Sequence, residues 1–340
     1  MEEHDGWPAR LGAFMTGHLD REATVVEFSP ITGGYSRYMA KFTIHDGESH
    51  RRYVLRADPP PGQSILVTDR IVEWSVLTAI ADAVAIPPLV TFDTEVLGPP
   101  SIIMDCVDGE SLFALLQQDP DGDHSAYTDR LATLAADIHT LDVGSLPDSI
   151  PRPASWSDYI DAEIQTWIDA EAAHAEHEPF MRLVAAWLDA NRPPEMPLAV
   201  VHGDFQAPNI LVESDGGRFI MCDWEMTRIG DPREDLGWWT LAAKSQPPDL
   251  IDADSDAFFA RYRELTGFGE DVVNPATVAY FTVLSSATVF FNLINQTASM
   301  TRGETTAMSI AYMTNAMPFM HGVWIDSMRR AGGWSAEVAS

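Results

Sequence analysis

The chain has 340 residues, enough for one large domain or two lobes, and 46% of them are apolar, which excludes a mainly disordered protein. Asp and Glu number 51 against 21 Lys and Arg, a formal net charge of -30. That balance excludes the basic footprint of a nucleic-acid binder; it fits a solvated, self-repelling surface and is compatible with a cationic substrate.

In chain order, the acidic start Met1-Glu2-Glu3-His4-Asp5 lacks the basic and apolar regions of a signal peptide, so the expectation is a cytoplasmic protein. Val25 to Phe28 and Tyr38 to Ile44 read as strands around the turn segment Thr32-Gly33-Gly34-Tyr35-Ser36. Arg52 to Arg56 is a further strand that must end near Ala57, because Pro59, Pro60 and Pro61 lack the N–H a central ladder needs. Asp69 to Ala81 has helical spacing, with Ile71, Trp74, Leu77 and Ile80 on one face. Ser101 to Val107 is a short apolar strand that runs into Asp108-Gly109, a hinge signal.

Beyond the hinge the pattern is mainly helical. Ala126 to Leu141, Tyr159 to Ala172, Phe180 to Ala190 and much of Pro275 to Arg330 read as helices. Val278 to Ile294 is the most apolar stretch, but its Thr, Ser and Asn content suits a buried helix rather than a membrane span of about 20 apolar residues. Cys106 and Cys222 read as buried thiols, with no disulfide framework or zinc site. The architecture expected is α+β, with a small β-rich lobe over residues 1–107 and a larger helical lobe over 108–340.

One β segment interrupts the helices. Val200 to Val212 contains His202-Gly203-Asp204 and Asn209, Asp215-Gly216-Gly217 supplies a turn, and Phe219 to Asp223 follows. A hairpin is expected. Gly216 lies midway between Asn209 and Asp223, so antiparallel pairing would set these two oxygen ligands side by side for a hard cation such as Mg²⁺. Asp204 would sit on the loop that enters the hairpin. Phosphoryl transfer needs a metal bridging the phosphates, a carboxylate orienting the attacking hydroxyl, and cations on the developing charge. Singly, His202, Asn209 and Asp223 have structural readings as a satisfied core histidine, a turn former and a strand-end cap. Their joint spacing favours the chemistry.

His202-Gly203-Asp204 with Asn209, Asp223-Trp224-Glu225, and Gly230-Asp231-Pro232-Arg233-Glu234-Asp235-Leu236-Gly237-Trp238 resemble the aminoglycoside phosphotransferase and choline kinase-like family. The wording is most similar to the kinase-like domains fused to acyl-CoA dehydrogenases. That resemblance implies a two-lobed protein-kinase-like fold, ATP and Mg²⁺ as cofactors, and a small-molecule hydroxyl acceptor. It implies Asp204 as the catalytic aspartate and Asn209 and Asp223 as metal ligands. His202 would brace the loop and Asp235 would fix it from the following helix, although Asp235 also reads as a helix cap. Glu225, two residues past Asp223, would point to the metal or substrate if the segment stays a strand.

The same resemblance assigns the nucleotide to the β-rich lobe. Gly33, Gly34 and Ser36 stand where a phosphate-cradling loop belongs. Arg56 takes the place of a protein kinase's strand lysine and can grip two phosphate oxygens. Glu73 would pair with Arg56; the structural alternative is a surface ion pair contributing roughly 0–1 kcal/mol. Lys41 is a competing cation. Met104 would gate the adenine, and the backbone of Asp105 to Val107 would bind the base. Acceptors suggested are an aminoglycoside or amino alcohol, a hydroxyacyl-CoA, or a macrolide-like natural product. Trp238-Trp239, Tyr280, Phe281, Phe290 and Phe291 read either as core or as the lining of an apolar cleft. A catalytically silent nucleotide-binding module and a protein kinase are the rival readings, the latter weakened by Asp-Trp-Glu in place of Asp-Phe-Gly.

Overall fold

A computed structural model describes residues 6–31, 38–58, 69–174, 179–215, 217–287, 302–303 and 317–332. Gly33, Gly34, Ser36, Pro59 to Pro61, Gly216, Phe290 and Phe291 lie outside the described residues. The chain divides into two compact units. The first comprises Met1–Glu110, Gly144–Ile150 and Leu211–Thr227; the second comprises Ser111–Val143, Pro151–Ile210 and Arg228–Ser340.

The first unit is built on a five-stranded antiparallel sheet, in the order β1 (Thr24–Pro30), β2 (Tyr38–His45), β3 (His50–Ala57), β5 (Ser101–Asp105), β4 (Leu89–Asp93). Register sorts its two faces. Leu55 pairs with Ala40 and Ile103, and that face is covered by α1 (Trp7–Leu19) through Trp7, Leu11 and Met15. Neither α1 nor β4 was expected, although Trp7, Leu11 and Met15 recur at i, i+4 and i+8. Arg56 pairs with Met39 and Ile102, and Val54 with Lys41 and Met104, so Arg56 and Met104 share the opposite face.

Helix α2 (Arg70–Ile80) starts at Asp69, whose carboxylate accepts the N–H groups of Ile71 and Val72. Its buried face carries Arg70, Glu73, Val76, Leu77 and Ile80. The expected apolar face holds at Leu77 and Ile80 and is corrected in the first turns, where Ile71 is 53% exposed and Trp74 is part-buried and stacks on Phe92 at 5.5 Å. Arg70 and Glu73 take the inner positions there because they have partners inside the unit.

A three-stranded sheet orders β6 (Gly109–Ser111), β8 (Ile210–Glu213) and β9 (Phe219–Met221). The expected hairpin is present, with the Glu213 N–H donating to the Arg218 carbonyl at 3.0 Å. Gly109 is required by close approach, since a Cβ there would meet the Val212 carbonyl oxygen.

The second unit is mainly helical. It contains α3 (Leu112–Gln118), α4 (Ser125–His139), α5 (Trp156–His174), α6 (Pro179–Ala190), α7 (Arg233–Ala243), α8 (Leu250–Ala253), α9 (Ser255–Thr266), α10 (Pro275–Leu284) and α11 (Met317–Arg330). The short strands β7 (Ala199–Val201) and β10 (Arg228–Gly230) pair antiparallel. Trp167, Tyr280, Phe281 and Trp324 belong to the packed core of this unit, so the core reading of Tyr280 and Phe281 holds. Among the described residues no helix is long and apolar enough to cross a membrane. Asp231 and Arg233 form a buried pair at 2.6 Å; Trp156 donates to Asp231, while Arg233 reaches the carbonyls of Pro194 and Val272. That part of the sequence motif holds α7 in place.

Helices α7 and α10 touch through backbone at Gly237, where a Cβ would lie 2.5 Å from the Phe281 carbonyl carbon and 2.6 Å from the Thr282 nitrogen. Gly237→Ala is expected to cost about 1–3 kcal/mol, because two packed helices must separate to admit the methyl. Urea denaturation of the variant checks it; an unchanged midpoint would show that the contact relaxes freely.

Candidate active site

Strand β7 delivers the loop His202–Asn209, and α7 holds it. Asp235, Trp238 and Trp239 stand at i, i+3 and i+4 on α7 and present one face to the loop. The Asp235 carboxylate accepts the backbone N–H of His202 (2.8 Å) and of Gly203 (2.9 Å), the latter at φ 83°. Nε2 of His139, from the end of α4, lies 3.1 Å from it, and Nδ1 of that ring lies 2.7 Å from the Tyr262 hydroxyl. Burial pushes the Asp235 carboxyl up, but His139, His202 and the Gly203 N–H outweigh it and hold the group below its ordinary value. The cap alternative for Asp235 is set aside, since Pro232 occupies the N-cap position.

His202 is fully buried, and its Nδ1 accepts the Asp204 backbone N–H at 3.1 Å. The Asp204 side chain is tied from three directions. Oδ1 accepts from Gln206 Nε2 (2.6 Å) and from Trp238 Nε1 (2.9 Å), and Oδ2 accepts from Asn209 Nδ2 (2.7 Å). The Asn209 amide nitrogen also reaches the Asp204 carbonyl at 3.0 Å. Buried Phe205 packs on Trp239 with ring centroids 5.8 Å apart. The loop is thus pinned by backbone, side chain and ring contacts together.

In the first unit, Arg56, Glu73 and Asp223 come together. Arg56 Nη2 lies 2.5 Å from Asp223 Oδ1, and its Nε lies 3.0 Å from Glu73 Oε1. Arg56 and Glu73 are 4% and 2% exposed, so the surface-pair reading is overturned. Arg70 makes a second tie to Glu73, lies 3.0 Å from Asp58, and with Arg56 brackets Glu225 at 3.5 and 3.4 Å. Burial, then the Arg56 charge, lowers the Arg70 pKa, while Asp58 and Asp223 oppose the shift. Glu225 therefore departs from the strand expectation: Trp224–Met226 is a 3-10 turn, which removes the alternation, and its carboxylate faces two guanidinium groups. Asp223 begins that turn in the left-handed region, at φ 69° and ψ 60°, a conformation Asp tolerates better than most residues. Burial pushes the neighbouring Cys222 thiol up to about 12. Neither cysteine is in a disulfide, and both are part-buried.

Met104 is buried on the Arg56 face of the sheet, while Lys41 is exposed on β2. The Asp105 N–H donates to the Pro88 carbonyl (2.9 Å) and the Cys106 N–H to the Arg52 carbonyl (3.0 Å). In this stretch the Val107 N–H has no partner among the described residues. Asp105, Cys106 and Val107 line a shallow cavity of about 210 Å³ with Pro88 and Glu213. A larger one, about 330 Å³, lies among α7, α9, α10 and α11; Asp252 there pairs with Lys244 and Arg330, and no sequence-predicted site residue lines it.

Asp204 and Asn209 belong to the second unit, Arg56, Glu73 and Asp223 to the first. Among the described residues, no group of three or more His, Cys, Asp or Glu side chains could hold a metal ion. Sequence reasoning missed Arg70, Gln206, His139 and the polar role of Trp238. Only Arg70 left a signal, standing three residues before Glu73 on the same helix face.

The chain resembles mouse acyl-CoA dehydrogenase family member 10, with 28% identity over 204 residues, 56% of this chain and 18% of that protein. It spans less than a third of the length of such curated relatives. Among solved structures, aminoglycoside phosphotransferase APH(4)-Ia, in a ternary complex with AMP-PNP and hygromycin B, matches with a TM-score of 0.65 at 17% identity, covering 95% of this chain and 99% of that one. A macrolide 2'-phosphotransferase from Brachybacterium faecium matches with a TM-score of 0.64 at 18% identity, covering 89% and 96%. These likenesses show the kinase-like fold. The model of the phosphotransferase enzyme family matches residues 27–274, which include Arg56, the Asp204 loop and Asp223, and the chain belongs to that family.

Proposed function

We propose that this protein is an ATP- and magnesium-dependent kinase that moves the γ-phosphate to a hydroxyl of a small molecule. The observation that carries the reading is Asp204, a carboxylate on a part-buried, α7-anchored loop whose plane is fixed by Gln206, Trp238 and Asn209. Such fixation suits a group that must orient an attacking hydroxyl and receive its proton.

Arg56 would hold the phosphates, with Glu73 fixing its Nε, and Gly33, Gly34 and Ser36 would cradle them. Met104 would back the base, and the Val107 N–H with the Asp105 carbonyl would recognise its edge. Asn209 and Asp223 would be the protein's ligands to magnesium. Asn209 fits, because its amide nitrogen is committed to Asp204 and Oδ1 has no partner among the described residues. Asp223 offers a carboxylate already balanced by Arg56. A set of two protein oxygens suits Mg²⁺, which keeps water and phosphate ligands. When bound, the ion would neutralise charge on the phosphates.

The test is phosphoryl transfer from ATP–Mg²⁺ to a panel of aminoglycosides, amino alcohols, hydroxyacyl-CoAs and macrolides, read by ³¹P NMR. A new phosphate ester supports the proposal; nucleotide binding with no ester formed anywhere would instead mark a silent module. Asp223→Asn keeps a residue tolerant of the left-handed backbone while removing the ligand charge. It is expected to weaken Mg²⁺-dependent nucleotide binding about 100-fold, measured by calorimetry with and without EDTA. Unchanged affinity would remove Asp223 from the metal site.

A further inference from the structure

Asp204 has two oxygens with different surroundings. Oδ1 accepts both Gln206 Nε2 at 2.6 Å and Trp238 Nε1 at 2.9 Å, which fills its two lone-pair directions. Oδ2 accepts the Asn209 amide. Gln206 is on the loop itself, and a loop residue can move with the aspartate it holds. Trp238 cannot, because α7 is fixed at one end by the buried Asp231–Arg233 pair and in its middle by the backbone contact at Gly237. The rest of the indole packs against the helical core, so the direction of the N–H is set by the fold. Phe at this position would keep the packing and remove the donor.

We infer that Trp238 is a positioning residue for phosphoryl transfer: its indole N–H, donated to Oδ1, fixes the plane in which the Asp204 carboxylate meets the acceptor's hydroxyl. The inference rests on the kinase reading of Asp204. In the step itself the acceptor oxygen bonds to the γ-phosphorus, the bond from phosphorus to the ADP oxygen breaks, and the hydroxyl proton passes to the Asp204 carboxylate. Rotation of the carboxylate would aim the wrong lone pair, and misplacement by about 1 Å costs on the order of 100-fold in rate. The loss of one donor among several to a carboxylate is a smaller change.

The experiment combines a spectroscopic and a kinetic readout on the full chain. With ¹⁵N-indole labelling, the resonance that disappears in Trp238→Phe identifies Trp238, and Asp204→Asn is expected to shift that resonance upfield. With ATP–Mg²⁺ and water as the acceptor probe, Trp238→Phe is expected to lower kcat about 10-fold while leaving the ATP KM within about two-fold. A merely structural role would lower the amount of folded enzyme and leave kcat per folded molecule unchanged. An active wild type with Trp238→Phe equal to it in kcat per folded molecule overturns this inference and spares the kinase reading. A wild type that turns over ATP with neither water nor any acceptor of the panel overturns both. An indole resonance indifferent to Asp204→Asn refutes the contact directly.

Discussion

Asp204→Asn is expected to lower phosphoryl transfer by about 100- to 10,000-fold, the range over which a positioned base acts, while ATP–Mg²⁺ still binds. The amide is close in size to the carboxylate, yet it cannot receive the hydroxyl proton. It also places an NH₂ against at least one of the donors Gln206, Trp238 and Asn209, all of which point at oxygen. Both effects fall on the transferring step, because Arg56, Glu73 and Met104 are untouched. Single-turnover kinetics beside calorimetric nucleotide affinity separates them. Equal turnover in the variant would end the case for Asp204 as the acceptor-side carboxylate, and lost nucleotide binding would point to a role in the phosphate site instead.

The second large effect concerns Asp235. Truncation to Ala strands the buried N–H groups of His202 and Gly203 and leaves His139 without its carboxylate. A buried group left unpaired costs about 1–3 kcal/mol, so the sum is about 3 kcal/mol or more. Asp235→Asn is not conservative either, because its NH₂ must face one of those backbone donors. Loosening of the loop should also lower kcat about 100-fold in whatever fraction stays folded. Urea unfolding and kcat per folded molecule check the two losses separately. The pH dependence has a definite sign. The folded carboxyl sits below its ordinary value of 3.8, so below that pH the unfolded chain binds more protons. Stability from Asp235 is complete above 3.8 and is lost as pH falls through the folded value. Wild type should therefore lose stability on acidification more steeply than Asp235→Ala; parallel curves would show that the carboxylate is not the responsible group.

Much of this was legible before any coordinates. Strands β1, β2, β3 and β5 announced themselves by apolar alternation and turn residues, and Asp215 with its glycines marked the hairpin. The loop around Asp204 stands out in the sequence because its residue types and spacing resemble those of the phosphotransferase family, whose model matches this stretch. What stayed hidden was the set of long-range polar contacts. His139 reaches Asp235 across 96 positions, and no local pattern encodes that. Hydrophobic periodicity put Ile71 on the inner face of α2, where Arg70 actually lies, because a charged side chain reads as solvated until its partners are known. Glu225 reads as a strand residue because nothing in the local sequence marks the left-handed backbone at Asp223. Trp238 carries two properties at once, an apolar ring and a donor, and composition weighs only the first.

The Gly237 contact leaves no slack between the helical core and the loop that holds Asp204. On the proposed kinase reading, turnover is therefore exposed to changes made far from Asp204. A substitution on α10 that shifts Phe281 would press on α7 at Gly237 and so on the indole that holds the aspartate. A change in that core that merely stabilises it would then be read out as altered turnover.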